Sequence, residues 1–472
     1  MLFSSVSFLF YFFSLLLGAY FLVPKKYRAA RNGVLLLFSL AFYAFGGVRY
    51  LFFMLLEIAL SYVAGLMCDS KKRHVKNIGL IFALITGLGM LAYFKYLGFF
   101  SEIANSIVSS VPVVSIVLPI GISFYTFQSL SYVIDVYRGK TEVQKNPLYL
   151  ALYVSLFPQL IAGPIVRYSD VADEITCRDE NLDEFYAGCL RFMMGFGKKM
   201  ILANTAGEIA DAVFAVPHAD LSVALAWVGA LAYTAQIYFD FSAYSDMAIG
   251  LGRMFGFHFL ENFNYPYISK SVTEFWRRWH ISLSTWFRDY LYIPLGGNRC
   301  APVRHIFNIC VVWVATGFWH GASWNFIIWG AYFAAILLIE KYLLKNVLQK
   351  MPGPLLHIYT MLLVIVSWVI FRAPDLPYAL SYLGTMLGIG APSLMSGDAV
   401  YYIMQFLPEW ILFIVCALPV TKWLGSYFSR REDKLSRALC EIVPAAFALI
   451  VFAIGYLRLS VGSFNPFIYF RF

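Results

Sequence analysis

Runs of apolar residues alternate with short polar stretches along nearly the whole chain. Several runs are about 20 residues long, the length that an α-helix needs to span the apolar core of a bilayer. The pattern predicts an all-α polytopic membrane protein with about 12 transmembrane helices, some of them re-entrant or broken. The apolar runs lie at about 5–23, 32–47, 48–67, 78–99, 113–136, 148–166, 185–206, 221–243, 303–319, 324–345, 355–372, 400–420 and 438–457.

The composition excludes a water-soluble protein. Hydrophobic residues make up 60% of the chain and charged residues 13%, whereas about 25% of the residues of a soluble domain are charged. So few charges cannot cover a surface that faces water on all sides.

Lysine and arginine are concentrated in the loops between the apolar runs, and such basic loops face the cytoplasm. This bias places the amino terminus and residues 460–472 outside the cytoplasm, and it leaves the topology between about 160 and 300 open. It also accounts for the formal charge of +9, so nucleic-acid binding is not predicted. The basic loops contain Lys25, Lys26, Arg28 and Arg31; Lys71, Lys72, Arg73 and Lys76; Arg138, Lys140 and Lys145; and Lys422, Arg430, Arg431, Lys434 and Arg437.

We expect a single domain over residues 1–472, in which 438–472 form a terminal span and an extracytoplasmic tail. Pro158 and Pro164 interrupt one apolar run, and Lys198 and Lys199 lie inside another. Broken helices at membrane depth persist only where protein or a water-filled cavity covers them. The breaks therefore indicate an internal cavity.

The segment 274–299 is unusually rich in Trp, Arg, His and Asp for such an apolar chain. One interpretation is an amphipathic helix at the membrane surface, with aromatic rings at the lipid headgroups and arginines reaching toward water. The other is the polar lining of a cavity at membrane depth, in which His280 would be a site residue. The composition of the segment leaves both open.

His320 lies between two strongly apolar stretches. Ionisable residues inside a membrane are costly and are candidates for function. Because burial disfavours the charged imidazolium, we expect a neutral ring that can accept a proton as a general base. Gly317 and Gly321 would let another group approach the backbone closely. The alternative is a histidine that only packs helices and hydrogen-bonds a neighbouring carbonyl.

The chain ends on an aromatic tail, residues 463–472. A terminus is usually disordered unless something holds it, and this one is too aromatic to extend freely into water. Either its rings anchor it at the membrane surface, or it enters a cavity and presents the Tyr469 hydroxyl.

Metal binding and disulfides are not predicted. None of the seven cysteines forms a Cys-x-x-Cys pair, and most lie in or beside apolar runs as small hydrophobic residues do. No two of the seven histidines have the spacing of a helical metal site.

The two histidine segments together resemble the signature of the membrane-bound O-acyltransferase (MBOAT) superfamily. The match is to the bacterial branch that contains the membrane subunit of alginate O-acetylation, its peptidoglycan O-acetylating relatives and the D-alanyl transporter of teichoic acid D-alanylation. The resemblance covers about 115 to the end of the chain. It rests on Trp276-Arg277-Arg278-Trp279-His280-Ile281-Ser282, Gly317-Phe318-Trp319-His320-Gly321, Pro119-Ile120-Gly121-Ile122-Ser123-Phe124, Ala162-Gly163-Pro164-Ile165 and Tyr238-Phe239-Asp240-Phe241-Ser242.

This resemblance implies a ring of helices around a central funnel, where a cytoplasmic acyl thioester meets an acceptor from outside. It implies that His320 is catalytic and that His280 lies close by. The donor would be acetyl-CoA, and Arg278, Arg288 and Asn325 are the candidates for binding it. The two arginines could orient either the donor or the acceptor, and surface roles are the open alternative for both. The location would be the cytoplasmic (inner) membrane of a bacterium.

The resemblance also implies an extracytoplasmic partner, an SGNH-type acetyltransferase that modifies an exported polysaccharide. We expect Tyr469 to be a transient acetyl acceptor. A phenol has a pKa of about 10, far below that of an alkyl alcohol, so its acetyl ester stays activated.

Three other functions are weighed against this one. A D-alanyl-type transferase would take its acyl group from a carrier protein, but in that system a separate small peptide carries a tail like this one. A polysaccharide exporter would need polar residues along many spans, whereas here they concentrate in 262–325. A lipid or protein acyltransferase of the eukaryotic type lacks the alginate-like motifs and the terminal tail.

Overall fold

The computed structural model describes residues 1–429, 434–462 and 464–468, and these residues form helices and connecting segments without a β-strand. A helix satisfies its backbone polar groups within its own segment, which is what an apolar environment requires. The prediction of an all-α polytopic membrane protein is confirmed.

The helices vary from single turns to a helix of 32 residues. Up to residue 180 they are α1 (Phe13–Leu22), α2 (Arg28–Ala44), α3 (Val48–Cys68), α4 (Arg73–Leu91), α5 (Leu97–Ile107), α6 (Ile122–Tyr137), α7 (Pro147–Ser155), α8 (Phe157–Leu160) and α9 (Tyr168–Thr176). The next are α10 (Leu182–Gly197), α11 (Asn204–Phe214), α12 (Val223–Met254), α13 (Val272–Arg278) and α14 (Ile281–Phe287). The last are α15 (Pro302–His320), α16 (Trp324–Tyr342), α17 (Lys345–Lys350), α18 (Gly353–Arg372), α19 (Leu376–Met386), α20 (Gly397–Gln405), α21 (Leu407–Ala417), α22 (Val420–Ser429) and α23 (Lys434–Ser460).

Irregular helical turns join some of these elements. Turns of π-helix occupy Ser7–Phe12, Ala92–Tyr96, Lys198–Ala203 and Arg288–Tyr292, and short 3₁₀ turns occupy His218–Asp220 and Pro266–Ile268. Single π-helical turns inside helices occur frequently at functional sites. One of them contains Lys198 and Lys199, so the predicted irregularity at this place is present.

Five helical stretches of the described residues are long and apolar enough to cross a membrane. A sixth counts if α20 and α21, which meet at a bend of 62°, form one broken span. The predicted total of about 12 spans and the sidedness of the loops stay predictions. The five stretches are Val48–Cys68, Arg73–Ile107, Trp324–Tyr342, Gly353–Arg372 and Ile442–Ser460.

Two apolar runs differ from a single span. In the run 148–166 the helix breaks at Leu156, and Pro158 lies in the first turn of α8, as the prolines predict. The run 113–136 is helical only from Ile122, so the helix predicted over its first part is wrong. The reason is Gly121, whose left-handed backbone (φ 77°) is not helical.

The chain divides into two compact units. Unit 1 consists of Met1–Phe192 and Ser245–Glu261, and unit 2 of Met193–Tyr244 and the residues from Asn262 onward. The single domain over residues 1–472 stays a prediction. His280, His320 and the terminal segment all belong to unit 2.

Unit 1 contains a buried ionic cluster around Glu180. This carboxylate accepts hydrogen bonds from Arg28, Arg31 and Tyr20, and it lies 3.1 Å from Nε of Arg178. Removing one partner of such a buried cluster leaves an uncompensated charge and is strongly destabilising. The cluster joins α1, α2 and the loop before α10, so we assign it to the stability of unit 1.

Candidate active site

His320 is the last residue of α15 and is buried. At Gly321 the backbone becomes extended, and α16 begins at Trp324. The carboxyl end of a helix carries partial negative charge, which stabilises a cation there. His320 therefore lies where an imidazolium, formed when the ring accepts a proton, gains stabilisation from the helix.

Glycines fix the position of His320 by bringing α15 and α16 together. A Cβ on Gly317 would collide with the carbonyl oxygen of Phe326, and one on Gly330 with that of Trp313. A Cβ on Gly321 would collide with the Phe326 ring. The prediction that Gly317 and Gly321 permit a close approach is confirmed, and the approaching group is α16.

A cavity of about 20 Å³ opens beside His320. The centre of the His320 ring lies 5.2 Å from that of Trp329 and 5.3 Å from that of Phe371, and both pairs are nearly perpendicular. The space holds roughly one water-sized group, and its aromatic wall keeps bulk water away from the imidazole. The lining consists of Ile237, Phe241, Trp279, His320, Trp329, Trp368, Phe371 and Ile468.

The first part of the segment 274–299 contributes to this wall. Trp276 and Trp279 are buried in the aromatic core of unit 2, and Trp279 lines the cavity. Arg277, which lies between them in sequence, is exposed. These tryptophans therefore line the interior rather than form an interfacial belt, which favours the cavity interpretation.

His280 lies one aromatic layer away from the cavity. The centre of its ring is 4.6 Å from that of Phe241, which lines the cavity, and 6.0 Å from that of Trp319. The backbone of His280 is left-handed (φ 43°), a conformation that side chains other than glycine seldom adopt. His280 therefore lies behind the wall of the cavity, and its role beside His320 stays a prediction.

Asn262 holds the His280 ring. Its Oδ1 accepts hydrogen bonds from the backbone N–H (3.2 Å) and hydroxyl (2.9 Å) of Ser282, and it lies 3.1 Å from Nδ1 of His280. Because this oxygen can only accept, Nδ1 carries the proton and Nε2 has the lone pair. Burial lowers the pKa of His280 to about 3, so the ring is neutral at physiological pH.

A second cavity, of about 410 Å³, shares Phe371 with the first. Here Nη2 of Arg372 donates to Oδ1 of Asp211 at 2.7 Å, and Nδ2 of Asn325 donates to the Ala373 carbonyl at 2.6 Å. A guanidinium group and an amide give this cavity a polar character that the first lacks. Its lining consists of Tyr233, Gly321, Ala322, Ser323, Asn325, Phe326, Phe371, Arg372, Ala373 and Pro374.

The terminal segment enters unit 2 as far as the structure describes it. Phe467 and Ile468 are 5% and 2% exposed. The Phe467 ring centre lies 4.9 Å from that of Tyr244, and Ile468 lines the His320 cavity. Entry of the tail into a cavity is therefore confirmed through Ile468, whereas Tyr469 lies outside the described residues.

The two arginines proposed for donor binding do not line either cavity. Arg278 pairs with Glu274 at 2.9 Å, one turn away on α13. Arg288 pairs with Asp289 at 2.7 Å, and 58% of its side chain is exposed. Of the three candidates for donor binding, the structure brings only Asn325 to a cavity; the role of all three stays a prediction.

In the parts of the chain that the structure describes, no three His, Cys, Asp or Glu side chains are grouped as a metal site would need. The expectation of a metal-free protein stays a prediction. So does acetyl-CoA as the donor substrate.

Sequence reasoning missed Asn262, Arg372 and the role of an ion pair between Lys199 and Asp240. Lys199 and Asp240 did carry a signal, because charged residues inside apolar runs are expected to be functional or paired. Asn262 carried none, since an asparagine in a polar stretch is indistinguishable from a loop residue.

The described residues thus combine a helical membrane fold with a buried histidine that ends a helix beside an aromatic cavity, an arrangement in which the imidazole can serve as a base. The chain belongs to the MBOAT, membrane-bound O-acyltransferase family, whose family model matches residues 142–383. That range contains His280, His320, Asn262 and Arg372. The protein is therefore an integral membrane enzyme, which excludes the non-catalytic exporter.

Three relatives illustrate the similarity. The chain is 42% identical to the probable alginate O-acetylase AlgI of Azotobacter vinelandii, with all of both chains covered. It is 47% identical to the probable alginate O-acetylase AlgI of Pseudomonas aeruginosa over 83% of this chain and 75% of that protein. It is 34% identical to the peptidoglycan O-acetyltransferase of Helicobacter pylori over 93% of this chain and 91% of that protein.

Proposed function

We propose that this protein moves acetyl groups from cytoplasmic acetyl-CoA to an extracytoplasmic SGNH-type acetyltransferase, which then O-acetylates an exported polysaccharide. One observation carries the proposal: Ile468 lines the same cavity as His320, and Tyr469 is the next residue of the chain. The terminal segment that bears the candidate acceptor thus reaches the candidate base.

The relatives support the acetyl group and the glycan. Those described above are named for O-acetylation of alginate and of peptidoglycan. The chain matches them over most or all of their length, and the match to the Azotobacter vinelandii protein includes the terminal part. We place the protein in the cytoplasmic membrane of a bacterium, because the donor is a cytoplasmic metabolite and the acceptor lies outside.

In the first step, His320 takes the proton of the Tyr469 hydroxyl as the phenol oxygen attacks the carbonyl carbon of the thioester. The carbon–sulfur bond breaks, and the CoA thiolate takes the proton from His320. The carboxyl end of α15 stabilises the imidazolium that exists between these two transfers. The aromatic wall limits hydrolysis of the thioester, because little water reaches the imidazole.

In the second step, a serine hydroxyl of the partner attacks the acetyl carbon of the phenyl ester. The bond from that carbon to the phenol oxygen breaks, and the phenolate recovers a proton from the serine through His320. A phenol with a pKa of about 10 leaves more readily than an alkyl alcohol. Transfer of the acetyl group from Tyr469 to serine is therefore favoured over the reverse transfer from serine to Tyr469.

The larger cavity is the proposed route for the acceptor. It lies at the ends of α16 and α18 that are remote from Lys345 and Lys350. Under the positive-inside rule those lysines face the cytoplasm, so the cavity faces outside. Arg372 and Asn325 would orient the incoming acceptor there.

The test is label transfer from radiolabelled acetyl-CoA to purified protein in detergent, with and without the SGNH-type partner. We expect label on the wild-type chain, and loss of that label in His320→Ala and in Tyr469→Phe. Tyr456→Phe is the matched control, since Tyr456 lies on α23 near the same end of the chain.

Label that survives in Tyr469→Phe would refute the tyrosine relay. If the folded wild-type protein releases no CoA even with the partner present, acetyl-CoA is not the donor. A carrier-bound acyl group, as in the D-alanyl-type transferase, would then replace it.

A further inference from the structure

Unit 2 contains an ion pair that takes no part in the proposed chemistry. Nζ of Lys199 lies 2.8 Å from Oδ1 of Asp240, and the two side chains are 3% and 1% exposed. Burying two ions removes their hydration, and the loss is offset only if their remaining donors and acceptors are also satisfied. The groups that bind the remaining donors of Lys199 and acceptors of Asp240 therefore indicate the role of the ion pair.

The backbone of the terminal segment supplies one further partner to each ion. Nζ of Lys199 donates to the carbonyl oxygen of Pro466, and Oδ2 of Asp240 accepts from the N–H of Ile468 at 2.7 Å. The cation meets a carbonyl and the anion meets an amide, on either side of Phe467. The pair thus holds the backbone of the segment at two points, and the side chains on either side determine which residues lie there.

A π-helical turn presents Lys199. The turn Lys198–Ala203 interrupts the regular hydrogen bonding between α10 and α11. Arg458, near the end of α23, donates to the Thr205 hydroxyl at 2.6 Å and lies 3.4 Å from the carbonyl oxygens of Met200 and Ile201. The helix that leads into the tail and the lysine that holds the tail are thus fixed at the same place.

Further contacts guide the segment along α11. Nδ2 of Asn204 donates to Oδ1 of Asn465 at 3.3 Å. A Cβ on Gly207 would lie 2.7 Å from Nε2 of Gln236 and 3.3 Å from the Phe464 ring, so the glycine leaves room for both side chains. Gly207, Asn204 and Lys199 therefore lie beside residues 464, 465 and 466 in order, and the segment runs antiparallel to this part of the chain.

We infer that Lys199 and Asp240 are positioning residues that set the register of the terminal segment against unit 2. A shift of the segment by one residue would take the Pro466 carbonyl and the Ile468 N–H away from the pair, separate Asn465 from Asn204 and remove Ile468 from the His320 cavity. The part of this inference that concerns delivery of Tyr469 to His320 rests on the proposed function. The docking of 464–468 does not.

The test is amide hydrogen exchange of residues 464–468, measured by mass spectrometry with fragmentation to single residues, on the full-length protein. Lys199→Met/Asp240→Leu removes both charges together, which leaves no lone buried ion and so preserves the fold. We expect exchange at Ile468 to become roughly 10- to 100-fold faster, the range for loss of a hydrogen bond to a charged group.

Two further variants make the result specific. Lys199→Met/Asp240→Asn also leaves no lone buried ion and keeps the size of the side chain at position 240. It should likewise accelerate exchange at Ile468, and it replaces the first double variant if that one does not fold. Asp246→Asn breaks an ion pair to Arg191 (2.9 Å) in unit 1, on the same helix α12, and should leave exchange in the tail unchanged.

Acetyl transfer gives an independent readout. In the double variant we expect kcat for labelling to fall at least about tenfold while KM for acetyl-CoA is unchanged, because the acceptor and not the donor is displaced. Exchange at Ile468 that equals the wild-type rate in a folded variant would overturn the inference. If exchange at Ile468 is faster in the double variant but the wild-type protein takes no label from acetyl-CoA, the proposed function is contradicted. The docking of 464–468 then still stands.

Discussion

The two motif histidines are both buried and both lie against Trp319, yet their surroundings differ. His280 is held by Asn262 on a strained left-handed backbone, behind Phe241. His320 ends a helix and faces a cavity that the terminal segment also reaches. Access to that cavity, rather than burial or membership of a motif, distinguishes the two histidines, and it is the ground on which we propose His320 as the base.

Replacing His320 should have the largest effect. His320→Gln removes the base but keeps a polar side chain of similar length, so we expect acetyl transfer to fall about 10²- to 10⁴-fold with no change in melting temperature. Initial rates of label transfer measure the effect. His258→Gln is the control, because His258 is exposed in unit 1 and pairs with Glu174. Wild-type rates in His320→Gln would show that His320 is not the base.

Moving His320 without removing it should have the next largest effect. Gly317→Ala forces α15 away from α16, and we expect transfer to fall about 100-fold with a loss of about 1–3 kcal/mol in the free energy of unfolding. Initial rates of label transfer measure the loss of activity, and melting curves measure the loss of stability. Gly33→Ala on α2 meets no atom within 4 Å and should be neutral or slightly stabilising. A fully active Gly317→Ala would show that the position of His320 tolerates helix separation.

Replacing His280 should have a smaller effect. Asparagine adopts the left-handed conformation more readily than most residues, so His280→Asn preserves the backbone at this position. We expect the rate of acetyl transfer to fall only about tenfold. That is the effect of losing one or two hydrogen bonds that support the aromatic wall of the His320 cavity. The same rate assay compares it with His320→Gln. Equal losses in the two variants would mean that His280 also reacts and that the layer of Phe241 does not separate it from the substrate.

The smallest effect is a pH dependence of stability. Burial lowers the pKa of His280 from 6.5 to about 3 in the folded protein, so the unfolded chain binds this proton first as the pH falls. The stability contributed by the neutral ring is complete above pH about 6.5 and is lost as the pH falls toward about 3. Melting temperatures between pH 7.5 and 4 should therefore decline less steeply in His280→Asn than in the wild type. Parallel curves would show that the ring titrates normally.

Much of this protein follows from its sequence. The apolar runs are long enough to determine a helical membrane protein by themselves, because the period and length of hydrophobic runs are local properties. His320 is recognisable because a histidine between two apolar stretches is costly unless it has a role. The aromatic tail is recognisable because it cannot extend into water.

The rest depends on contacts between residues that are distant in the chain. Asn262 acts on His280 across 18 positions, and Asp240 holds Ile468 across 228. No local pattern encodes such pairs, since which polar groups meet in the interior is decided only when the helices have packed. The sequence by itself determined the class of protein and the family resemblance, and it indicated His320 as the candidate base. Tertiary structure alone decided which histidine reaches the cavity and which ion pair receives the terminal segment, because both depend on burial and on hydrogen-bond geometry that exist only in the packed chain.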